Sequence, residues 1–276
     1  MKEKTTIGMR IAKARKDANM KQAEVAEKLG VSFQAVSSWE RDEFVPDTWN
    51  LIELAKVLDV SVSSLVEDRN GETFKTVKNI YDPDHMFTFV RATAKANGMK
   101  DTLKALDFAK KAHEGQTRKK SDVPYIYHPL NLACHCLAMD IKEDPVVAAC
   151  LLHDVIEDTA YGYDDLPVSD ESKELVRLMT HEKTDDENRE KVLKPYYKGL
   201  TSDPRAALIK CIDRCNNLTT MSWGLSRDRI YRMIKETEKY VLPLLKVVKA
   251  EPAYNNAAWL LQYQMESMLD IYKRLM

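Results

Sequence analysis

A chain of 276 residues is long enough for two domains. It is 44% hydrophobic and 31% charged with a formal net charge of -1, so no global charge footprint points to nucleic acid or to an anionic surface, although a local basic face is compatible with it. No apolar run is long enough to span a bilayer and no signal peptide opens the chain, so no membrane partner is expected and the predicted location is the cytoplasm. Five cysteines, an odd number in apolar contexts and without zinc-finger spacing, read as buried reduced thiols. Only eight glycines, few alternating β-branched runs and long stretches of 3.6-residue periodicity predict an all-α fold.

In chain order, Ile7, Ile11 and Ala14 give a first helical stripe, with Arg10 nearby. A second helix begins at Gln22 and runs to Leu29, where Gly30 supplies a left-handed terminator. Ser32 is a natural N-cap for a third helix, Phe33 to Glu40. Helix, short glycine-containing turn, helix is the helix-turn-helix layout. Val25, Ala26, Leu29, Val31, Val36 and Trp39 fit the small core between its two helices, and Leu51, Leu54, Leu58 and Leu65 extend that core through two more.

Gln22-Ala-Glu-Val-Ala, Leu29-Gly-Val-Ser32, Gln34-Ala-Val-Ser-Ser-Trp-Glu-Arg41 and Pro46 resemble the Cro/repressor-type helix-turn-helix family from about Met9 to Val66. The resemblance implies a recognition helix over residues 33 to 41 in the major groove of double-stranded DNA. Gln34 and Ser37 would face base edges, and Gln22, Arg10 or Arg41 would touch phosphate. A homodimer on a two-half-site operator is the expected assembly. The predicted DNA-binding domain covers residues 1–69.

Residues 70–100 read as a linker and connecting helix. Arg69-Asn-Gly-Glu72 is a turn, and Met86, Phe87, Phe89, Val90 and Ala94 make a helical stripe closed by Asn97-Gly98. The linker is short, so coupling between the domains is expected rather than free tethering.

The second domain is predicted over residues 101–276. Asp144-Pro145 reads as an Asp cap with proline at the first helical position. The helix it opens runs on through Leu151-Leu-His-Asp-Val-Ile-Glu-Asp-Thr159. On one continuous helix, His153 and Glu157 share a face, and Asp154 and Asp158 repeat that relation. Burying four such groups unpaired costs many kcal/mol, so a metal ion or a dense hydrogen-bond network is required. Further on, Asp213, Asn217 and Thr220 fall at i, i+4, i+7 on another helix. Two long helices close the chain, about 226–249 and 252–274, and Pro243 should kink or break the first.

Ala112-His-x-Gly-Gln-x-Arg118-Lys119, Pro124-Tyr-Ile-x-His128-Pro, Leu152-His-Asp-Val-Ile-Glu-Asp-Thr159 and Lys210-x-x-Asp213-Arg-x-x-Asn217-x-x-Thr220 resemble the HD hydrolase domain of the RelA/SpoT alarmone enzymes and their small single-domain relatives. The resemblance implies a divalent ion, usually Mn2+, held by His128, His153, Asp154 and Asp213, a donor set that suits manganese, iron or zinc. Glu157 and Asp158 would be the catalytic acid/base pair, because a water made acidic by the ion needs a carboxylate to orient it and take its proton. Arg118, Lys119, Asn217 and Thr220 would meet a purine nucleotide polyphosphate. His113 fits the pattern as a supporting residue, and His135 as core or surface.

The implied reaction removes pyrophosphate from the 3′ position of guanosine tetra- or pentaphosphate, the alarmone of the stringent response. The alternatives are a regulator whose HD domain senses a nucleotide with little turnover, or a phosphohydrolase of another purine nucleotide. The chain departs from the family at Asn216, Thr219 and Ser121-Asp-Val123, positions expected to affect substrate recognition and to spare the metal ligands. After Met276 no chain is left for a synthetase domain, so synthesis is not expected.

Overall fold

The computed structural model describes residues 6–66, 82–118, 123–181, 188–221 and 225–276. It divides into two bodies, residues 1–76 and 77–276. Among the described residues there is no strand, only an isolated antiparallel bridge between Thr117 and Pro124.

Among its described residues, the first body has five helices: α1 Ile7–Asp17, α2 Gln22–Leu29, α3 Phe33–Glu40, α4 Thr48–Val57 and α5 Val62–Val66. Gly30 takes φ 67° after α2, and the Ser32 hydroxyl accepts from Ala35 N at 3.2 Å to start α3, as the sequence predicts. Ile11, Val25, Val36, Trp39, Leu54 and Leu65 form the core. α1 and α3 approach closely at Gly8, where an added Cβ would lie 2.3 Å from the Trp39 carbonyl oxygen. Arg10 donates to the carbonyls of Leu65 at 2.9 Å and Val66 at 3.2 Å. The expected turn at Arg69 to Glu72 lies outside the described residues.

The second body holds α6 Pro83–Ala96, α7 Lys100–Ala112, α8 Tyr127–Ala138, α9 Asp144–Leu152, α10 Val155–Asp158, α11 Asp170–Met179, α12 Arg189–Leu200, α13 Pro204–Thr220, α14 Arg227–Glu236, α15 Leu242–Ala250 and α16 Asn255–Leu275. α6, read from sequence as a connecting helix, packs on α7 and α8 and contributes Val90 and Ala94 to the main core. α9 is apolar all round, with every residue from Val146 to Leu152 buried, and is enclosed by α7, α8, α11 and α13.

Two readings of local structure are corrected here. Asp144 does not cap its own helix: its carboxylate accepts from Asp101 N at 2.9 Å and from Thr102 N and Oγ1 at 2.7 Å each, so it caps the start of α7, while Pro145 sits in the first turn of α9. The stretch 151–159 is not one helix either. α9 ends at Leu152, His153 and Asp154 form a turn, and α10 restarts at Val155. The break expected at Pro243 is present: the helix before Ala250 is interrupted by a π-helical turn, Thr237–Val241. Proline has no N–H for the helical ladder and its ring crowds the carbonyl four residues back, so the chain widens there.

Candidate metal centre and nucleotide site

The turn after α9 brings His153 and Asp154 to the side of α8 that carries His128, and α13 brings Asp213 to the same point. His128, His153 and Asp154 offer ligand atoms within 4.8 Å of one another. His128 Nε2 lies 3.4 Å from Asp154 Oδ2 and 3.3 Å from Asp213 Oδ1. His153 Nε2 lies 3.1 Å from Asp154 Oδ1 and 3.9 Å from Asp213 Oδ1. His128, His153 and Asp154 thus form one metal-capable group, and Asp213 lies beside it, within 4 Å of both imidazoles.

Both imidazoles are oriented from behind. His128 Nδ1 lies 2.6 Å from Asn216 Oδ1, and His153 Nδ1 lies 2.9 Å from the Cys150 carbonyl oxygen. With Nδ1 donating in each ring, Nε2 is the nitrogen turned toward the carboxylates and the one that would meet a cation. Asn216 is itself fixed, because its Nδ2 donates to Asn131 Oδ1 at 2.7 Å. The sequence reading put Asn216 among the substrate-recognition departures. It is instead buried behind His128, on the far side of the ring from the cluster.

The donor chemistry fits a divalent ion. His153 Nε2 is fully buried and lies 3.1 Å from Asp154 Oδ1 without a well-aligned hydrogen bond, an arrangement that suits a cation between them. Burial by itself lowers the His153 pKa, but Asp154 and Asp213 outweigh it and push it up to about 9. Burial acts to raise both carboxyls. For Asp154 the His153 and His128 rings overcome this, and for Asp213 the Lys210 ammonium does, so both are held below the usual carboxylate range. Two imidazoles and two ionised carboxylates suit manganese, iron or zinc alike.

The predicted acid/base carboxylates flank this cluster. Tyr125, not singled out from sequence as a site residue, has its hydroxyl 2.7 Å from Asp154 Oδ2 and 2.8 Å from Asp158 Oδ2. Burial and the two carboxylates hold the phenol well above its usual pKa, so it keeps its proton. Gln116 Nε2 donates to the Asp158 carbonyl at 3.1 Å, and its Oε1 lies 2.9 Å from His113 Nδ1. The His113 ring packs 4.7 Å from that of Tyr125, in keeping with a supporting role. Glu157 turns away from Asp158. Its Oε1 accepts from His181 N at 2.9 Å and lies 3.0 Å from His181 Nδ1, and the His181 ring stacks on Tyr196.

Next to the cluster, Arg118 donates to Asn217 Oδ1 at 3.1 Å and to Thr220 Oγ1 at 3.0 Å, so three of the predicted nucleotide contacts meet across 99 and 102 residues of chain. Its guanidinium carbon lies 5.8 Å from the Tyr125 ring centroid. Lys119, and Ser121 and Asp122 of the departing segment, lie outside the described residues. Asn217 Nδ2 donates to Asp213 Oδ1 at 2.6 Å, and Lys210 Nζ to Asp213 Oδ2 at 2.9 Å, so one carboxylate joins the cluster to the Arg118 corner. Lys210 appeared in the sequence only as a motif residue. Its i, i+3 spacing to Asp213 was the signal that could have assigned it.

In the first body, Gln34 is exposed on α3, as base readout requires. Ser37 is not: it is buried, and its hydroxyl accepts a hydrogen bond from Arg41, because position 37 turns toward the core beside Val36. Arg41 also pairs with Glu43 at 2.8 Å. The Gln22 amide donates to Glu40 Oε2 at 2.7 Å, inside the Arg15–Glu40 ion pair, and so has a partner within the fold. The cysteines are all free. Cys134 alone is half-buried and the others are buried, with the Cys134 and Cys215 thiols pushed up by burial to about 12.

Comparison with known proteins finds matches to both bodies. A helix-turn-helix family model matches residues 11–65, and an HD domain model matches residues 105–239. The guanosine-3′,5′-bis(diphosphate) 3′-pyrophosphohydrolase of Aquifex aeolicus is 31% identical over 149 residues, covering 51% of this chain and 20% of that protein. The bifunctional (p)ppGpp synthase/hydrolase SpoT of Escherichia coli is 35% identical over 147 residues, covering 49% and 20%. This chain thus spans about a fifth of the length of these relatives. A solved structure described as a metazoan ortholog of SpoT that hydrolyzes ppGpp aligns with TM-score 0.50 at 23% identity, over 62% of this chain and 94% of that one, and supports the fold. The chain thus matches a helix-turn-helix model in its first body and an HD domain model in its second, and its HD region is similar in sequence to a stretch of SpoT-like proteins.

Proposed function

We propose that the second body is a metal-dependent 3′-pyrophosphohydrolase of guanosine tetra- or pentaphosphate, working in the cytoplasm on a chain that also binds a specific DNA sequence as a homodimer. The observation that carries the reading is the buried pair of imidazoles whose Nε2 atoms face Asp154 and Asp213, with Asp158 tied to Asp154 through Tyr125. His128, His153, Asp154 and Asp213 would hold the ion, Mn2+ by preference. Bound there, it would supply Lewis acidity toward a phosphate oxygen and make water more acidic.

The protein's own residues then have distinct tasks. Asp158, oriented by the Tyr125 hydroxyl and by Gln116 on its backbone, accepts the proton of the attacking water. Glu157, anchored by His181, orients that water or passes a proton to the departing 3′ oxygen. Arg118, with Lys119, clamps the purine or a phosphate, and Asn217 and Thr220 read the ribose or base. Water's oxygen bonds to the phosphorus on the 3′ oxygen, the bond to that oxygen breaks, and pyrophosphate leaves a 3′ hydroxyl behind.

The test is incubation of the purified protein with Mn2+ and a panel of guanosine and adenosine polyphosphates, following release of pyrophosphate or phosphate. Turnover confined to 3′-pyrophosphorylated guanosine nucleotides supports the reading. Tight binding without turnover would replace it with nucleotide sensing by a transcription regulator, the reading that the helix-turn-helix match favours. Asp154→Ala should abolish metal binding and turnover together, and retained activity would overturn the ligand assignment.

A further inference from the structure

The two carboxylates of the cluster are used differently. Asp154 turns both oxygens to the imidazoles: Oδ1 lies 3.1 Å from His153 Nε2 and Oδ2 lies 3.4 Å from His128 Nε2. Asp213 turns only one. Its Oδ1 lies 3.3 Å from His128 Nε2 and accepts from Asn217 Nδ2 at 2.6 Å. Its Oδ2 accepts from Lys210 Nζ at 2.9 Å. Lys210 sits one turn back on α13, so the pair share a helix face. Its side chain is only 12% exposed, and its ammonium lies 5.5 Å from the centroid of the Tyr196 ring, which α12 supplies. That ring is itself fixed. Its hydroxyl donates to the Met179 carbonyl at 2.8 Å, and the His181 ring stacks on it at 4.7 Å. The ammonium is thus walled in against Oδ2.

A lysine in this place works against a bound ion. An ammonium and a divalent cation that share one carboxylate repel each other, and the repulsion is stronger where water is excluded. Affinity alone would favour a neutral side chain at position 210, because the ion itself would balance the Asp213 charge. What the ammonium adds is a limit. A carboxylate can hold an ion with both oxygens or with one. Oδ2 is committed to a head group that only donates, so Asp213 offers Oδ1 alone. A position on the ion that a second carboxylate oxygen does not take stays open to water or to a phosphate oxygen. An ion that promotes hydrolysis needs such positions, and a purely structural one does not. Taking the ligand set proposed above, we infer that Lys210 is a positioning residue that confines Asp213 to single-oxygen ligation, lowering metal affinity and keeping the ion open to substrate.

The test uses the full chain stripped of metal, with Mn2+ as the probe and no nucleotide. In calorimetric titration, Lys210→Met should bind Mn2+ about 10- to 100-fold more tightly than wild type, the opposite sign to the loss of a supporting contact. Water proton relaxation should at the same time report one exchangeable water fewer on the bound Mn2+, because Oδ2 takes its place. Lys210→Arg keeps a cation and N–H groups on Oδ2 and should return both values toward wild type. Should Lys210→Met fail to fold by circular dichroism, Lys210→Gln removes the charge but keeps a polar group, and its gain in affinity decides. Weaker or unchanged Mn2+ binding in the folded neutral variant overturns the proposal, and so does an unchanged water count in Lys210→Met. A wild type that binds no divalent ion overturns the ligand set and this role together. Neither measurement involves a nucleotide, so an absence of hydrolysis would sink the reaction proposed above without altering this result.

Discussion

Asn216 accepts a hydrogen bond from His128 at 2.6 Å, and this contact decides which imidazole nitrogen faces Asp154 and Asp213. Because Asn216 Nδ2 is held by Asn131, the amide cannot flip and offer a donor to the ring. Asn216→Ala should therefore weaken metal binding by about 10- to 100-fold while leaving the four ligands in place. Titration of the metal-free protein with Mn2+ by calorimetry checks this. An unchanged dissociation constant would show that His128 needs no help.

Tyr125 bridges two carboxylates with one proton. A phenol donates to only one acceptor at a time, so its hydroxyl either shares that proton or holds Asp154 and Asp158 in balance. Tyr125→Phe keeps the ring against His113 and removes only the bridge. Turnover number should fall about 10- to 100-fold, with KM for the nucleotide changed much less. A pure KM effect would instead place the hydroxyl on substrate.

Gly8→Ala tests the contact between α1 and α3. The new Cβ would meet a backbone oxygen at 2.3 Å, and a carbonyl on a packed helix has no rotamer by which to step aside. The two helices must move apart, at a cost of about 3 kcal/mol. Denaturant unfolding followed by Trp39 and Trp49 fluorescence should show the loss in the first body, and nucleotide hydrolysis should be unaffected.

The Arg15–Glu40 pair gives the first body a pH dependence of definite sign. Burial pushes the Glu40 carboxyl up, but the bonds from Arg15 and Gln22 outweigh it and hold the folded pKa below the ordinary 4.5. A carboxyl depressed on folding contributes stability that is complete above its unfolded pKa and is lost as pH falls through the folded value. Urea midpoints should therefore drop below about pH 4.5, and Glu40→Gln should flatten that part of the profile.

Most of the helices were legible in the sequence for physical reasons, since Gly30 and Ser32 carry their conformational preference in the residue itself. The proposed ligands His128, His153, Asp154 and Asp213 were legible only through the family resemblance of the motifs that hold them, and the structure places them near one another. What was not legible depends on which distant group fills a given vacancy. Asp144 has the composition of a cap for the helix it begins, yet the unsatisfied N–H groups of α7 are nearer to its carboxylate. Ser37 is a polar residue on a recognition helix, and only the packing of that helix shows that position 37 faces inward. Tyr125 and Asn216 act through contacts 29 to 88 residues away in sequence, which periodicity cannot foresee.

Asp144 opens α9 with its backbone and caps α7 with its carboxylate, which ties the two helices at one residue. They pack along each other, and both then run toward the candidate metal cluster. α7 delivers the loop with His113, Gln116 and Arg118, and α9 delivers the turn with His153 and Asp154. The nucleotide arm and the metal arm are thus measured off from a common origin, and the Gln116 contact with Asp158 closes the figure at the other end. A quadrilateral pinned at both ends resists shear. The spacing between the base that would be gripped and the phosphorus that would be attacked is therefore set by two helix lengths rather than by the loops that carry the reactive groups.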